Sequence, residues 1–499
     1  MCSDDANVGI SAVAVESHHG APRPLLFLPL ALAAPAQDIP ELSLNEWKGI
    51  QNGFTNRISG LGSWSWNKAE EALSDLGGQD KTELTIWQNL KEDPHSFSKL
   101  VKIIEFEGHA SKYLDDKDAQ ITFFAPNNDA LTPPHHKDDD DDFEQLLHNP
   151  SLASLSAALD RDPSLTSSSK GHDDDDDDDE EKKRKKEIFR KIAGKVLAYH
   201  GLPKAYTVQE LGQNSTFATA LKADDGSYAG LHRRVRIEKN LVPPSIKLNF
   251  YAKIVASDRK ARNGYFHALD HPLLPPGSIL EELFLFPDTF STLTSSVQKV
   301  HEAHALDYGY DREHSEPGKP KFHGNPLATL FAPTNAAFHD LPDKLKFYLF
   351  SPFGEKSLIK LLAYHYIPHT LLLSEAFHQE KHEHKGELLT VGDDPSFHKQ
   401  FKIHTGLPNA TVEVEIEKVK VLPIEGATKT TIKVNGEQVE VIDVPARNGA
   451  VHVLSKLLVP PHEHHGHHGH HDHDQDLSAE DSWENWEEWF PQWVDAQDE

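Results

Sequence analysis

Three short motifs occur twice in this chain, in the same order, and this repeat constrains the fold more than any other feature. The segment TFFAPNNDA at 122–130 returns as TLFAPTNAA at 329–337, and VLAYH at 196–200 returns as LLAYH at 361–365. The segment ARNGYFH at 261–267 returns as ARNGAVH at 446–452. One match could arise by chance, but three matches in one order indicate a duplicated domain. A chain of 499 residues has room for two or three domains.

The two copies differ in the spacing between the first and second motifs. Pro126 lies 74 residues before His200, whereas Pro333 lies 32 residues before His365. The first copy therefore holds 42 extra residues, which include the aspartate runs 138–142 and 173–179. A segment of this composition buries too little apolar surface to order itself. We expect a disordered acidic insertion over 132–185.

The motifs predict an α+β fold, with helices early in each copy and hairpins late. In the first motif, Ala-Pro ends a buried strand, and Asn127 or Thr334 then caps a helix. The second motif ends an amphipathic helix, with Gly201 as its stop in the first copy. The third motif is an Asn-Gly turn that enters a strand, and Asn435-Gly436 predicts a further hairpin.

These motifs resemble the fasciclin domain family over about 81–277 and 278–461. The second copy is the closer match, because the first has Asn127 where the family favours Thr or Ser. The resemblance implies two β-sandwich wedges flanked by helices, in a secreted or surface protein that mediates adhesion. The motif residues to which we assign a structural role are Pro126, Asn128, Tyr199, His200, Asn263, Gly264, His267, Pro333, Asn335, Tyr364, His365, Asn448, Gly449 and His452.

Catalysis is not expected from these motifs. Each Tyr-His pair ends an apolar helix face, where a buried histidine is normally a hydrogen-bonded structural group. The chain has no Gly-x-Ser-x-Gly nucleophile elbow. The histidines of 378–384 are spaced for one face of a zinc helix, but Gln379 stands where a metalloprotease needs Glu. We therefore predict a protein without enzymatic activity and without a resident cofactor.

The N-terminal 36 residues resemble a secretory leader. The apolar run Leu25–Ala34 precedes a small-residue cleavage site, although acidic residues in 1–22 are atypical of a signal. The sequons at Asn214 and Asn409 predict N-glycosylation and fit this compartment. Cys2 is the only cysteine, so the domains need large cores instead of an intrachain disulfide. We expect a secreted or cell-surface protein, with the vacuole as the alternative.

The charge distribution excludes a nucleic-acid partner. The net charge is -29, and most of the excess lies in two stretches. Residues 137–187 carry 18 acidic and 8 basic side chains, and the tail 462–499 carries 12 acidic side chains without Lys or Arg. Phosphate backbones require a positive field, which neither stretch supplies.

The tail 462–499 combines a histidine run with an acidic, tryptophan-rich end. Neutral imidazoles bind zinc, copper or nickel, so the run is a candidate metal site, a pH sensor or a solvated segment. Its histidines are His462, His464, His465, His467, His468, His470, His471 and His473. In the end segment Trp483, Trp486 and Phe490 share a helical face that Pro491 would interrupt. This face either docks a partner or packs back onto a domain.

The segment 37–80 before the first copy also reads as an amphipathic helix, which lies on a membrane or on the first domain. Taken together, these patterns predict a non-enzymatic adhesion or interaction protein whose partner is a protein or a cell-wall or matrix ligand. No transmembrane span is expected, and peripheral membrane contact is an open possibility. The alternatives are a vacuole-associated factor in membrane fusion or trafficking, and a metal-binding protein that uses the His-rich tail.

Overall fold

The computed structural model describes residues 83–132, 151–161, 165, 176–241, 244–316, 319–379, 389–390, 396–420, 428–461 and 483–497. Within these residues the helices are α1 (Ile86–Glu92), α2 (Pro94–Glu107), α3 (Ala110–Asp115), α4 (Leu152–Arg161), α5 (Asp176–Tyr199), α6 (Val208–Leu211), α7 (Ile279–Phe284), α8 (Pro287–Lys299), α9 (Ala303–Leu306), α10 (Asn335–His339), α11 (Asp343–Phe350), α12 (Glu355–Tyr364) and α13 (Trp486–Ala496).

Most hairpin strands fall late in each copy, as the motif order predicts, whereas the strand of each first motif precedes several helices. They are β1 (Ile121–Pro126), β2 (Gly201–Leu202), β3 (Thr216–Lys222), β4 (His232–Leu241), β5 (Pro244–Leu248), β6 (Ala252–Ala261), β7 (Gly264–Leu269), β8 (Tyr308–Glu316), β9 (Lys319–Gly324), β10 (Ala328–Pro333), β11 (Tyr366–Pro368), β12 (Thr370–Leu373), β13 (Ala376–Gln379), β14 (Leu389–Thr390), β15 (Phe397–His404), β16 (Thr411–Lys420), β17 (Thr428–Val434), β18 (Glu437–Ala446) and β19 (Gly449–Leu454).

Each copy forms one domain around a seven-stranded sheet of the same topology. The strand order is β2-β1-β7-β6-β5-β4-β3 in the first domain and β11-β10-β19-β18-β17-β16-β15 in the second. The pairs β1–β7 and β10–β19 are parallel, and the other pairs in both sheets are antiparallel. The two sheets therefore confirm the duplication that the motifs predict.

The glycine of each third motif allows the parallel pair to form. Gly264 lies opposite Ile121, and Gly449 lies opposite Ala328. A Cβ atom at Gly264 would lie 1.9 Å from the Ile121 carbonyl oxygen, and one at Gly449 would lie 1.7 Å from that of Ala328. Both glycines also have positive φ, at 131° and 151°. Any side chain here would force the parallel strands apart.

The local chemistry of most turns and helix ends agrees with the sequence. Thr334 caps α10 by accepting a hydrogen bond from the amide of Ala337. Asn435 and Gly436 both have positive φ and join β17 to β18 in the predicted hairpin. In the first copy, however, Asn127 begins a turn instead of a helix. Helix α5 ends at Tyr199, close to the predicted stop, and Gly201 itself begins strand β2.

The predicted disordered insertion 132–185 is wrong over two stretches. Helix α4 lies inside it, and α5 begins at Asp176. Leu152, Leu155 and Leu159 of α4 are fully buried in the core of the first domain, where α4 packs on α2 and α5. Helix α4 is ordered because these leucines form one apolar stripe at helical spacing. The aspartate run 138–142 and residues 166–175 lie outside the described residues.

The tryptophan-rich end packs back onto the second domain, which settles the alternative left open by the sequence. Trp483, Trp486, Phe490 and Trp493 are buried in the same core as the second sheet. We refer to residues 483–497 as the C-terminal strap. Pro491 lies inside α13 and does not interrupt it, contrary to the prediction. The burial of these aromatic rings offsets the backbone hydrogen bond that proline cannot make.

Candidate functional site

The histidine of each Tyr-His motif is buried and bonded on both sides of its ring. In the first domain His200 Nε2 accepts the amide of Leu273 at 2.9 Å, so Nδ1 carries the proton and donates to the Val196 carbonyl at 2.8 Å. The second domain repeats this arrangement with His365, Leu458 and Leu361. Burial lowers the pKa of His200 and of His365 to about 4. Both rings stay neutral at physiological pH and fasten the end of the domain to the helix.

The histidine of each third motif is bonded with the opposite tautomer. His267 Nδ1 accepts the amide of Asp258 at 3.1 Å, and its Nε2 donates to the Tyr206 carbonyl at 3.2 Å. Burial lowers the pKa of His267 to about 4. In the second domain the matching contacts are made by His452, Asp443 and Leu372. Burial is also the main reason that the pKa of His452 is lowered.

The asparagines of the third motif join the helical layer to the sheet. Asn263 accepts the amide of Ile86, at the start of α1, and donates to the carbonyls of Leu114 and Asp116. In the second domain Asn448 accepts the amide of Ile279 and donates to the carbonyls of Leu306 and Asn325. Each side-chain amide thus makes three hydrogen bonds to buried or partly buried backbone groups.

The remaining motif residues hold backbone segments in the same way. The amide oxygens of Asn128 and Asn335 accept the amides of Lys99 and Thr292. Asn249 donates to the Tyr199 hydroxyl and Asn435 to the Tyr364 hydroxyl, each at 2.8 Å. Pro126 and Pro333 end β1 and β10. The structure therefore brings the motif residues together as two internal networks, and these networks present no open reaction centre.

The two domains meet through a buried polar cluster that the sequence did not indicate. We call Ser215, Thr216, Ser374, Glu375 and Asp443 the interdomain clasp. The amide and hydroxyl of Ser215 donate to Glu375 at 2.6 and 2.9 Å, and the Thr216 hydroxyl donates to Glu375 at 3.0 Å. The hydroxyls of Ser215 and Ser374 also contact the Asp443 carboxylate closely. One serine of the first domain thus bridges two carboxyl groups of the second.

Electrostatics in the clasp favour a bound proton. Burial, and then repulsion from Asp443, raises the pKa of Glu375, whereas Arg234 acts in the opposite direction. A second carboxyl group lies beside the linker, the segment between β7 and α7 that joins the two domains. Burial raises the pKa of this group, Glu282, to about 8. Glu282 accepts the amide of the linker residue Gly277 at 2.7 Å. We therefore expect the stability of the domain junction to depend on pH.

Apolar and cationic contacts surround the clasp. A cluster that includes Tyr228 of the first domain and Leu327 and Leu371 of the second is buried between the domains. The amide of Tyr228 donates to the Pro326 carbonyl at 2.8 Å. Arg236 donates to the Ile442 carbonyl at 3.2 Å and is itself paired with a buried glutamate at 3.0 Å. The junction is therefore a packed interface and not a single tether.

The two sequons occupy different surroundings. Asn214 is half-buried at the junction, and its side-chain oxygen accepts the Lys418 ammonium group of the second domain at 2.6 Å. Asn409 is exposed in the turn between β15 and β16. Glycosylation at either position stays a prediction, but only Asn409 has an open surface around it.

The candidate metal ligands are not brought together in the described residues. The eight histidines of 462–473 lie outside those residues, so a zinc, copper or nickel site there stays a prediction. His378 is buried on strand β13 instead of on a helix, because the segment pairs with β12, and His382 and His384 lie outside the described part. Across the described residues no group of three or more His, Cys, Asp or Glu side chains is placed to hold a metal ion.

Comparison with known proteins identifies the family of this chain. The family model described as the fasciclin domain matches residues 177–275 and 288–460, more than half of the chain. The chain belongs to the fasciclin domain family. The predicted fold, a tandem α+β pair of fasciclin domains, is confirmed. In each fasciclin domain of this chain, the motif histidines and asparagines form hydrogen bonds that hold backbone segments together.

Similar proteins occur in distant organisms. Aurofusarin biosynthesis cluster protein S of Gibberella zeae is 27% identical over 241 residues, which are 46% of this chain and 54% of that protein. Protein sll1483 of Synechocystis is 28% identical over 174 residues, 35% of this chain and 69% of that protein. A solved FAS1 domain pair from the insect cell adhesion molecule fasciclin I is 16% identical with a TM-score of 0.28, covering 73% of this chain and 97% of that one.

The clasp is the part of the site that sequence reasoning missed. Ser215 and Asp443 are 228 residues apart, so no local pattern in the sequence links them. One weak signal was present. Ser374-Glu375 is a polar pair set between the apolar residues Leu371–Leu373 and Ala376-Phe377. A polar pair in a buried apolar run needs partners, and here the partners come from the other domain.

Proposed function

We propose that this fasciclin protein is a non-enzymatic adhesion or protein-interaction protein of the secretory pathway or cell surface, and that its two docked domains act as one binding unit. Fasciclin domains typically serve adhesion and protein interaction. The observation that carries the proposal is the clasp: it buries Asp443 and most of Glu375 between the domains. Two domains that move independently on a flexible linker would not bury polar groups against each other in this way.

The motif geometry supports a binding role instead of catalysis. Both ring nitrogens of each motif histidine are bonded to backbone groups, so none is available to move a substrate proton. The partner class that fits is a protein or a cell-wall or matrix ligand. Within the described residues no helix is long and apolar enough to cross a membrane.

The first test locates the natural protein with a tag inserted at 168–170, away from the buried helix α4. We expect glycosylated protein at the cell surface or in the medium, with the glycan at Asn409. Unglycosylated cytosolic protein would contradict the proposal, and glycosylated protein confined to the vacuole would favour the trafficking alternative. Attachment of cells to the immobilised full chain then tests adhesion directly.

A second test separates adhesion from metal binding. Truncation at residue 462 would remove the strap as well as the histidines, so the better variant replaces the eight histidines of 462–473 with asparagine and keeps 483–497. We expect this variant to lose zinc affinity in calorimetry and to attach cells as the parent does. Loss of attachment together with loss of zinc binding would contradict a metal-independent adhesion role.

A further inference from the structure

An exposed aromatic tip lies on the second domain, away from the clasp. We refer to Phe347, Phe350 and Phe353 as the phenylalanine tip. Phe347 is 83% exposed, Phe353 is 88% exposed and Phe350 is 37% exposed. Phe347 and Phe350 lie three residues apart on α11, and Phe353 follows in the turn before α12. Large apolar side chains clustered on the surface mark an interaction site.

The backbone that presents the tip is fixed. The amide and the hydroxyl of Ser351 both donate to the Tyr348 carbonyl, at 3.0 and 2.7 Å. The amide of Phe353 donates to the Ser351 hydroxyl at 3.2 Å, and the amide of Gly354 to the Ser351 carbonyl at 3.3 Å. Exposure of Phe353 therefore results from a hydrogen-bonded turn.

Helix α11 cannot rotate to bury the phenylalanine tip, because its opposite side is already packed against the domain. Leu345 and Leu349 are fully buried in the core of the second domain. Tyr348 stacks on Trp486 of the strap at 5.3 Å between ring centroids. Rotation of α11 to bury the phenylalanines would expose these side chains. The tip is thus the outward face of a helix whose inward face is already fully packed.

The size and shape of the tip favour a lipid partner over a second protein. At about 200 Å² for each ring, the exposed fractions give roughly 400 Å² of apolar surface. A stable protein dimer buries about 800 Å² on each partner. The tip also projects from a helix end and a turn and does not form a groove. A bilayer interface accepts small projecting apolar groups without a complementary surface.

The charges around the tip indicate which lipid interaction dominates. Lys344 and Lys356 flank it and form exposed ion pairs with Glu487 and Asp495 of the strap, at 3.6 and 3.1 Å. Exposed pairs of this kind are weak, so the lysines can exchange these partners for lipid phosphates. Segment 343–356 holds three lysines and two acidic residues, so it lacks a strong field of either sign. Apolar insertion is therefore the main source of affinity.

We propose that the phenylalanine tip inserts into the interfacial layer of a lipid bilayer and holds the second domain against a membrane surface. This inference goes beyond the proposed adhesion function and does not depend on it. It assigns peripheral membrane contact to a described surface of the second domain. Because insertion is mainly apolar, binding is expected to depend little on salt.

The experiment measures binding of the full chain to phosphatidylcholine vesicles by flotation, in low and high salt. The variant Phe347→Ser with Phe353→Ser should lower the partition coefficient roughly tenfold or more, because each ring loses its transfer into an apolar layer. The matched control is Tyr310→Ser, which removes an aromatic side chain that is 51% exposed elsewhere on the second domain. The control should bind as the parent does.

Four results would overturn the proposal. The first is a parent chain that does not float with the vesicles. The second is binding that high salt abolishes but the double variant retains. The third is a double variant that unfolds at lower temperature, because that result would mean that another part of the chain covers the tip. The fourth is a concentration-dependent dimer, seen by sedimentation, that the double variant loses. Cell attachment by the double variant is read separately and tests only the adhesion function.

Discussion

The two domains have an aspartate at the same position, Asp258 in the first and Asp443 in the second. Asp258 makes contacts inside its own domain, whereas Asp443 also contacts the other domain. Asp258 and Asp443 both have positive φ, and the amide of each donates to a motif histidine. The Asp258 carboxylate accepts the amide of Val208, and the Asp443 carboxylate accepts the amide of Ser374, both at 2.8 Å. Asp443 also contacts the hydroxyl of Ser374 and, from the other domain, that of Ser215.

The difference shows how little a duplicated domain must change to acquire a partner surface. Val208 and Ser374 occupy matching positions, because the amide of each donates to the matching aspartate. Serine adds a hydroxyl that valine lacks, and this hydroxyl contacts Asp443 at the domain interface. Gln209 and Glu375 follow them, and only the glutamate reaches across the junction. The buried networks, by contrast, are the same in both domains because they hold the sheet to its helices.

The largest expected effect concerns the strap, which belongs to the second domain. Phe490→Ala should lower the free energy of unfolding of this domain by about 3–5 kcal/mol, because Phe490 is fully buried. The matched control is Gln492→Ala, an exposed residue of the same helix. Native-state hydrogen exchange should show the loss of protection mainly at amides of the second domain. An equal loss in the first domain would mean that the strap supports the whole pair.

The motif histidines should behave alike in the two domains. His200→Ala and His365→Ala each leave a buried amide without its acceptor, which costs about 1–3 kcal/mol. Urea unfolding of each variant measures this loss. A change of binding or activity with unchanged stability would show instead that the histidine has a direct functional role.

The clasp should control coupling between the domains. Ser215→Ala removes the hydroxyl that bridges Glu375 and Asp443 and should cost about 1–2 kcal/mol. It should also separate the unfolding of the two domains into distinct steps. The control is Thr219→Val on strand β3, which begins directly after Ser215; this change removes a buried hydrogen bond to the Arg233 carbonyl inside the first domain. Equal coupling in both variants would contradict a bridging role for Ser215.

Acidic pH should tighten the clasp. An acid with a raised pKa in the folded state binds its proton more tightly there, so stability is full below the ordinary value of 4.5 and falls as pH rises through the raised pKa. Glu375 faces Asp443, Arg234 and Ser215, and Glu282 contributes with the same sign up to about pH 8. Once corrected for its intrinsic pH dependence, hydrogen exchange at the Ser215 amide should therefore be slower at pH 5 than at pH 8.

Glu375→Gln provides the control for this pH dependence. The amide side chain keeps the size of the acid but does not titrate, so the exchange rate, corrected for its intrinsic pH dependence, should flatten between pH 5 and pH 8. Glu282→Gln should remove only the share of the pH dependence that comes from the contact between Glu282 and the linker residue Gly277. An unchanged profile in both variants would contradict proton binding at the junction.

The smallest expected effect lies at the cleft of the first domain. Gly201 matches Tyr366 in register, and its lack of a side chain helps to open a cleft of about 350 Å³ beside Phe123. A Cβ atom at Gly201 would meet other atoms only at 3.7 Å or more. Gly201→Ala should therefore raise the free energy of unfolding by about 0.4–1 kcal/mol, because alanine lowers the conformational entropy of the unfolded chain. A loss of stability would contradict the open space at this position.

Much of each domain could be predicted because the signals are local. The strand before Pro333, the cap at Thr334 and the hairpin at Asn435-Gly436 each depend on neighbouring residues. Helix α4 was missed because its leucines lie between the acidic runs, and the composition of the whole insertion obscured a ten-residue stripe. A search for helical spacing inside the insertion would have found it.

The junction could not be predicted for a different reason. Residues 215 and 443 meet only because both domains fold and then dock, so no local pattern marks the contact. The strap shows the same limit. The sequence identified its apolar face but not the surface it covers, which includes Tyr348 and Tyr364. Intradomain structure follows from local chemistry, whereas docking depends on shape.

If the predicted glycosylation takes place, the position of the Asn214 sequon sets an order of events during biosynthesis. The enzyme that glycosylates a sequon reads its hydroxyl residue, here Thr216, and that hydroxyl is bonded to Glu375 once the domains dock. In a chain that enters the glycosylation machinery, sugar transfer at Asn214 would therefore compete with docking, whereas transfer at the exposed Asn409 would not. The ratio of glycan occupancy at the two sites, measured by mass spectrometry, would report how early the second domain closes over the first. Equal occupancy at both sites would mean that docking comes after sugar transfer.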